Sequence, residues 1–206
     1  MDISGYYVNL LNIEKATEFF NLAEINILKY RDKNHGLLDA DFSLCKARLL
    51  LALNEIDSAL DAAINAYTGF KQHALPSSPP IINSLNLLSV IYSKKNETKH
   101  AVKLAELSDS CYKVSHDRLD VTKSFLCYAY YQNKEYDKML KCAYDFIMSN
   151  GERLCRMFTF TDDYARRMIW QNEKGSLIYD LPLKIESING SDNKKLLRKC
   201  LYDIAL

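Results

Sequence analysis

The chain predicts an all-α fold of stacked helix hairpins, on three observations. Asn12, Asn54 and Asn96 stand 42 residues apart, and each opens a segment with similarly spaced small residues. Ala16, Phe20 and Ala23 follow the first, Ala59, Ala63 and Ala66 the second, and Ala101, Ala105 and Ser108 the third. A fourth copy runs from Asn133 through Met139, Ala143 and Phe146. A fixed period of this length marks supersecondary units that bury their apolar faces against their neighbours. Apolar residues also recur at three- and four-residue spacing almost throughout, as one face of a helix requires. Finally, six glycines and four prolines in 206 residues leave too few tight turns for an all-β chain.

Taken in order, Gly5 to Leu11 is too short to supply a full helix before Asn12, so the array is expected to open part-way through a unit. That truncation reads as a piece of a longer protein. Leu38, Phe42, Cys45 and Leu49 mark one helix, and Ile56, Leu60, Ile64 and Tyr67 its partner. Asn54 between them is placed to accept a bond from a free helix N–H. The stretch from Gln72 to Pro80 is the one Pro/Ser-rich segment and reads as an inter-unit loop, with Pro79 or Pro80 starting the next helix. Ile81 to Ser93 and Thr98 to Tyr112 form the second hairpin about Asn96. Asp120 to Gln132 and Tyr136 to Met148 form the third about Asn133. Small residues meet large ones across each hairpin, which is what lets two helices approach closely. In the third, Cys127 and Met139 replace the small pair.

After Gly151 the repeat fades. Thr161 is placed to cap a helix over 162–172, residues 176–190 fit either a short helix or an extended segment, and a last helix follows Ser191 or Asp192. The expected organisation is a repeat array over 1–150 and a helical cap over 151–206, terminal units being atypical because one face meets water.

Composition bounds the partners. A net charge of +1 gives no electrostatic reason to expect direct nucleic-acid binding. The first residues lack a secretory pattern, and the apolar run near Leu49 to Leu53 is too short for a bilayer, so no membrane role is expected. Six cysteines without a CxxC pair or dense framework read as reduced thiols in a cytoplasmic protein.

The residues resemble the tetratricopeptide repeat, whose pattern sets a small residue, a large apolar one, a turn and two further small residues a helix later. Here those are Ala47, Leu50, the turn at Asn54, Ala59 and Ala66. Ser89, Tyr92, the turn at Asn96, Ala101 and Ser108 follow, and then Cys127, Tyr130, the turn at Asn133, Met139 and Phe146. The match covers residues 5–150, about three and a half units. Its period of 42 and then 38 residues is longer than the usual 34, and the family's first-helix tryptophan and closing proline are missing. The resemblance implies a right-handed α-solenoid whose first helices line a concave groove. Long units of this kind are similar to the sensor regions of bacterial peptide-responsive regulators.

Carried over position by position, the resemblance puts Asp41, Leu44, Arg48 and Leu51 on the groove. The second unit adds Asn83, Asn86, Val90 and Lys94, and the third adds Ser124, Tyr128, Tyr131 and Gln132. Asn83 and Asn86 are three apart, so their amides can clasp a peptide backbone through both donors and acceptors. Arg48 or Lys94 would hold a carboxylate, and Tyr128 and Tyr131 would supply flat apolar surface with a polar tip. The competing reading is a plain solvated helix face. Trp170 with Met157, Phe158, Phe160 and Met168 reads as cap packing, with a homodimer contact as the functional alternative.

No catalytic residue, metal site or cofactor is expected. His35, His73, His100 and His116 are dispersed, and there is no phosphate loop, nucleophile elbow or HExxH sequence. The sequence therefore points to a non-catalytic protein- or peptide-binding module. One alternative is the ligand-sensing region of a bacterial transcription regulator whose DNA-binding domain lies outside this chain. The other is a regulatory domain attached to a catalytic domain elsewhere.

Overall fold

The computed structural model of the chain describes residues 12–30, 36–112, 122–139, 141, 142 and 145. The expectations for Gly5 to Leu11, for the boundary at 150 and for the cap over 151–206 lie outside these residues. Among those described there are helices and turns, and no strand. The chain divides into two compact units, Met1–His116 and Asp117–Leu206.

The first unit holds α1 (Ile13–Tyr30), α2 (Gly36–Ala52), α3 (Ile56–His73), α4 (Pro79–Lys94) and α5 (Thr98–Tyr112). Each packs on the next, and α2 also touches α4. Asn12 caps α1: the Lys15 N–H donates to its Oδ1 at 3.1 Å, satisfying a free donor of the first turn. Ala16 and Phe20 then meet Leu49 of α2, and Phe20 stacks on Phe42 with ring centroids 4.6 Å apart. The α2–α3 hairpin closes over Ala47, Ala59 and Ala63, all fully buried, which lets the two helices approach. Phe70, Ile81 and Leu85 fill the space where α4 arrives. The loop ends as expected, with Pro at the first turn of α4, where the missing N–H costs nothing.

The second unit holds α6 (Thr122–Gln132), and its next helical residues begin at 136. Its interior includes Leu126, Cys127, Ala129, Tyr130 and Met139. One hairpin contact recurs in both units. Ser89 Oγ donates to Ala101 O at 2.9 Å, and Cys127 Sγ lies 3.8 Å from Met139 O at the equivalent positions. The register thus holds although methionine replaces alanine.

The turns correct the sequence reading. Asn54 does not cap the following helix. It ends the preceding one in the left-handed conformation, with φ 64°. Its N–H donates to Leu51 O at 3.1 Å and the Glu55 N–H to Leu50 O at 2.9 Å. This paired closure satisfies the last carbonyls of α2. Asn96 does the same with φ 62°, its bonds going to Ser93 O and, from Glu97, to Tyr92 O. In the third turn the left-handed residue is Lys134 (φ 61°) and not Asn133. The carbonyls that open the next helices belong to Glu55, Glu97 and Glu135, which accept from Ala59, Ala101 and Met139. Asn12 accepts from Ala16 in the same way, so its true counterparts are these glutamates. Ala23, expected at a small interior position, is exposed.

Candidate functional site

Packing consumes most of α4, leaving one outward stripe: Asn83, Leu87, Val90 and Lys94, at helical spacings of four, three and four. Asn83 and Lys94 are exposed, Val90 is half-buried, and Leu87 is half-buried with its side chain packed against the interior clusters. The counterpart on α2 is Asp41, Cys45, Arg48 and Ala52. Of these, Asp41 and Ala52 are exposed and Arg48 and Cys45 half-buried, Cys45 against the α1 cluster. Because α2 touches α4, the two stripes run along neighbouring helices. Asp41 and Asn83 hold the same repeat position. Arg48 corresponds to Val90, and Lys94 to Ala52.

Asn86 is not on this stripe. It is 5% exposed, and its Oδ1 accepts from Ser108 Oγ at 2.7 Å inside the α4–α5 hairpin. The two asparagines therefore do not form an outward pair, and the clasp reduces to Asn83. Asn86 and Ser108 occupy the positions of Leu44 and Ala66 in the preceding hairpin, both buried. Comparing equivalent positions would have revealed this: a residue in the register of a buried leucine belongs to the interior. Leu44, also expected on the groove, is 3% exposed and packs with Ala66 and Phe70 for the same reason.

Tyr128, Tyr131 and Gln132 all lie on α6 in the second unit and are half-buried. Burial pushes the Tyr128 phenol above its ordinary range, while a hydrogen bond with Gln132 pulls the other way. Tyr131 lies 6.1 Å from Tyr136, their rings tilted by 57°. Tyr130 is 8% exposed, part of the interior, and carries the Lys138 ammonium 5.5 Å from its ring centroid. Glu135 lies below the usual carboxylate range, chiefly through its bond from Lys138 and next through that from Asn133. No helix among the described residues is long and apolar enough to cross a membrane.

No family model matches the chain, and no curated protein matches it. Among solved structures it is similar to a putative kinesin light chain from Podosopora anserina with nearly identical tetratricopeptide-like repeats. The TM-score is 0.65 at 12% identity, over 98% of this chain and 92% of that one. A variant form of the same protein matches at TM-score 0.65 and 12% identity, over 97% and 90% of the two chains. The fold is accordingly that of tetratricopeptide-like helical hairpin repeats, an all-α solenoid architecture.

Proposed function

We propose that this chain is a non-catalytic module that binds an extended peptide or protein segment along its first-helix stripes. The observation that carries this is the outward row on α2 and α4. Asn83 and Lys94 flank the half-buried apolar Leu87 and Val90 on α4, and Asp41 and Arg48 stand on the neighbouring α2. An extended chain presents amides and side chains in alternation, and such a row offers partners for both. Asn83 supplies an amide donor and acceptor, Arg48 and Lys94 hold carboxylates, and Asp41 holds a cation. Within the second unit, Tyr128, Tyr131 and Gln132 of α6 offer an aromatic surface of their own with hydrogen-bonding tips.

The test uses Asp41→Ala, Asn83→Ala and Lys94→Ala together, since all three side chains are exposed and their removal leaves the interior intact. A partner captured from native cytosol by the parent chain should be lost by the triple variant at unchanged helicity. Retention of that partner would remove the stripe from consideration.

A further inference from the structure

A second concavity lies away from the outward stripe, bordered by α3, α4, α5 and the loop after α3 and open to solvent beside the exposed Lys71, Pro76 and Leu107. It measures about 160 Å³ and is lined by three pairs spaced four residues apart. Tyr67 and Lys71 come from α3, Ile81 and Leu85 from α4, and Leu107 and Cys111 from α5. Ala74 and Pro76 of the loop close one side. Residues four apart share a helical face, so three helices each turn one face inward. Leu85 is also two residues, or about 200°, from Leu87, which sets this space apart from the α4 stripe.

The lining is apolar except for two groups. Tyr67 brings its hydroxyl, and Lys71 is the sole charged residue among the described residues that line the space. Among the described residues no acidic side chain pairs with Lys71. A cavity of roughly 150 Å³ walled by aliphatic side chains accepts one benzene-sized ring. One ammonium on its margin matches a monoanion, whereas a phosphate would call for several donors that these walls do not carry.

We propose that this pocket binds a small carboxylic acid with a single ring or short branched body. The body sits among Ile81, Leu85 and Leu107, and the carboxylate meets Lys71. Cys111 reports on occupancy because its thiol lines the same space. Burial raises it above the usual thiol range, so it alkylates slowly and measurably.

The experiment titrates the whole chain with 3-fluorobenzoate by fluorine NMR, with 3-fluorobenzamide as the neutral isostere. Peptide-resolved iodoacetamide labelling follows Cys111 against Cys45. The expected result is saturable binding, slower labelling of Cys111 alone, and weaker binding of the amide. Lys71→Gln, at an exposed position, should weaken the acid about threefold and leave the amide unchanged. Absence of saturation below about 10 mM would overturn the site. So would binding that leaves the Cys111 rate unaltered, because the acid would then be held elsewhere. Equal affinity for acid and amide, untouched by Lys71→Gln, would overturn the assigned ligand class.

Discussion

Replacing Ser108 by alanine should destabilise the first unit by more than the loss of one hydroxyl suggests. A serine hydroxyl has one proton to give. Here it goes to Asn86 Oδ1 at 2.7 Å, because the Ile82 carbonyl at 3.4 Å sits at the outer limit of a bond. Ser108 is fully buried and Asn86 is 5% exposed, so the stranded acceptor gains little from water. An unsatisfied buried acceptor costs about 1–3 kcal/mol. Asn86→Leu should cost less than about 1 kcal/mol, since the freed hydroxyl can turn to Ile82 O while the leucine adds apolar burial. The double variant rebuilds the Leu44/Ala66 pair of the preceding hairpin, where both residues are buried. It should lie within about 1 kcal/mol of the parent or above it, giving a coupling of about 1–2 kcal/mol. Urea unfolding followed by far-UV circular dichroism measures the four corners of the cycle. Hydrogen exchange of α4 and α5 locates the effect. A cost of Ser108→Ala under about 0.5 kcal/mol, or a double variant that merely sums the two single losses, would refute the coupling.

Four further outcomes are expected. Asn96→Ala should lower stability by about 1 kcal/mol, because an ordinary side chain at φ 62° is strained, whereas Lys134→Gly at φ 61° should raise it by about 0.5–1 kcal/mol; thermal melts read both. Gly69→Ala puts a Cβ 2.8 Å from Ala40 Cβ. The overpacking, about 1–3 kcal/mol, should outweigh the gain in helix propensity of about 1 kcal/mol. The same change should do less harm beside Ala40→Gly, as comparison of denaturant midpoints will show. Glu135 has a folded-state pKa below its ordinary 4.5, so its bonds to Lys138 and Asn133 stabilise the turn above that value. That stability fades as pH falls through the depressed pKa, and Glu135→Gln should abolish this acid dependence in hydrogen exchange of α6.

The hairpins were legible because their closure is a size constraint. Wherever two helices cross closely a small side chain must stand, and Ala47, Ala59, Ala66, Ser89 and Ala101 do so at fixed intervals. The role of the asparagines was not legible from their identity, since asparagine suits both a helix start and the left-handed end of one. Their offset held the answer. A helix start accepts from the residue four ahead, and Asn12 stands four before Ala16. Asn54 and Asn96 stand five before Ala59 and Ala101, which makes Glu55 and Glu97 the starting residues. The outward stripe was harder to read for a different reason. Asn83 and Asn86 lie about 60° apart on a helix, close enough to share a face and far enough for one to fall over its edge into the hairpin. The register of the repeat decides which, as the burial of Leu44 at the matching position shows. Beyond that edge the repeat imposes nothing. The outward positions read Asp41 and Asn83, then Arg48, Val90 and Tyr128, then Ala52, Lys94 and Gln132, changing chemistry from unit to unit while the interior keeps its sizes up to Met139. A surface written where the fold places no demand is free to specify a partner, and for the same reason the period that reveals the scaffold is silent about what it holds.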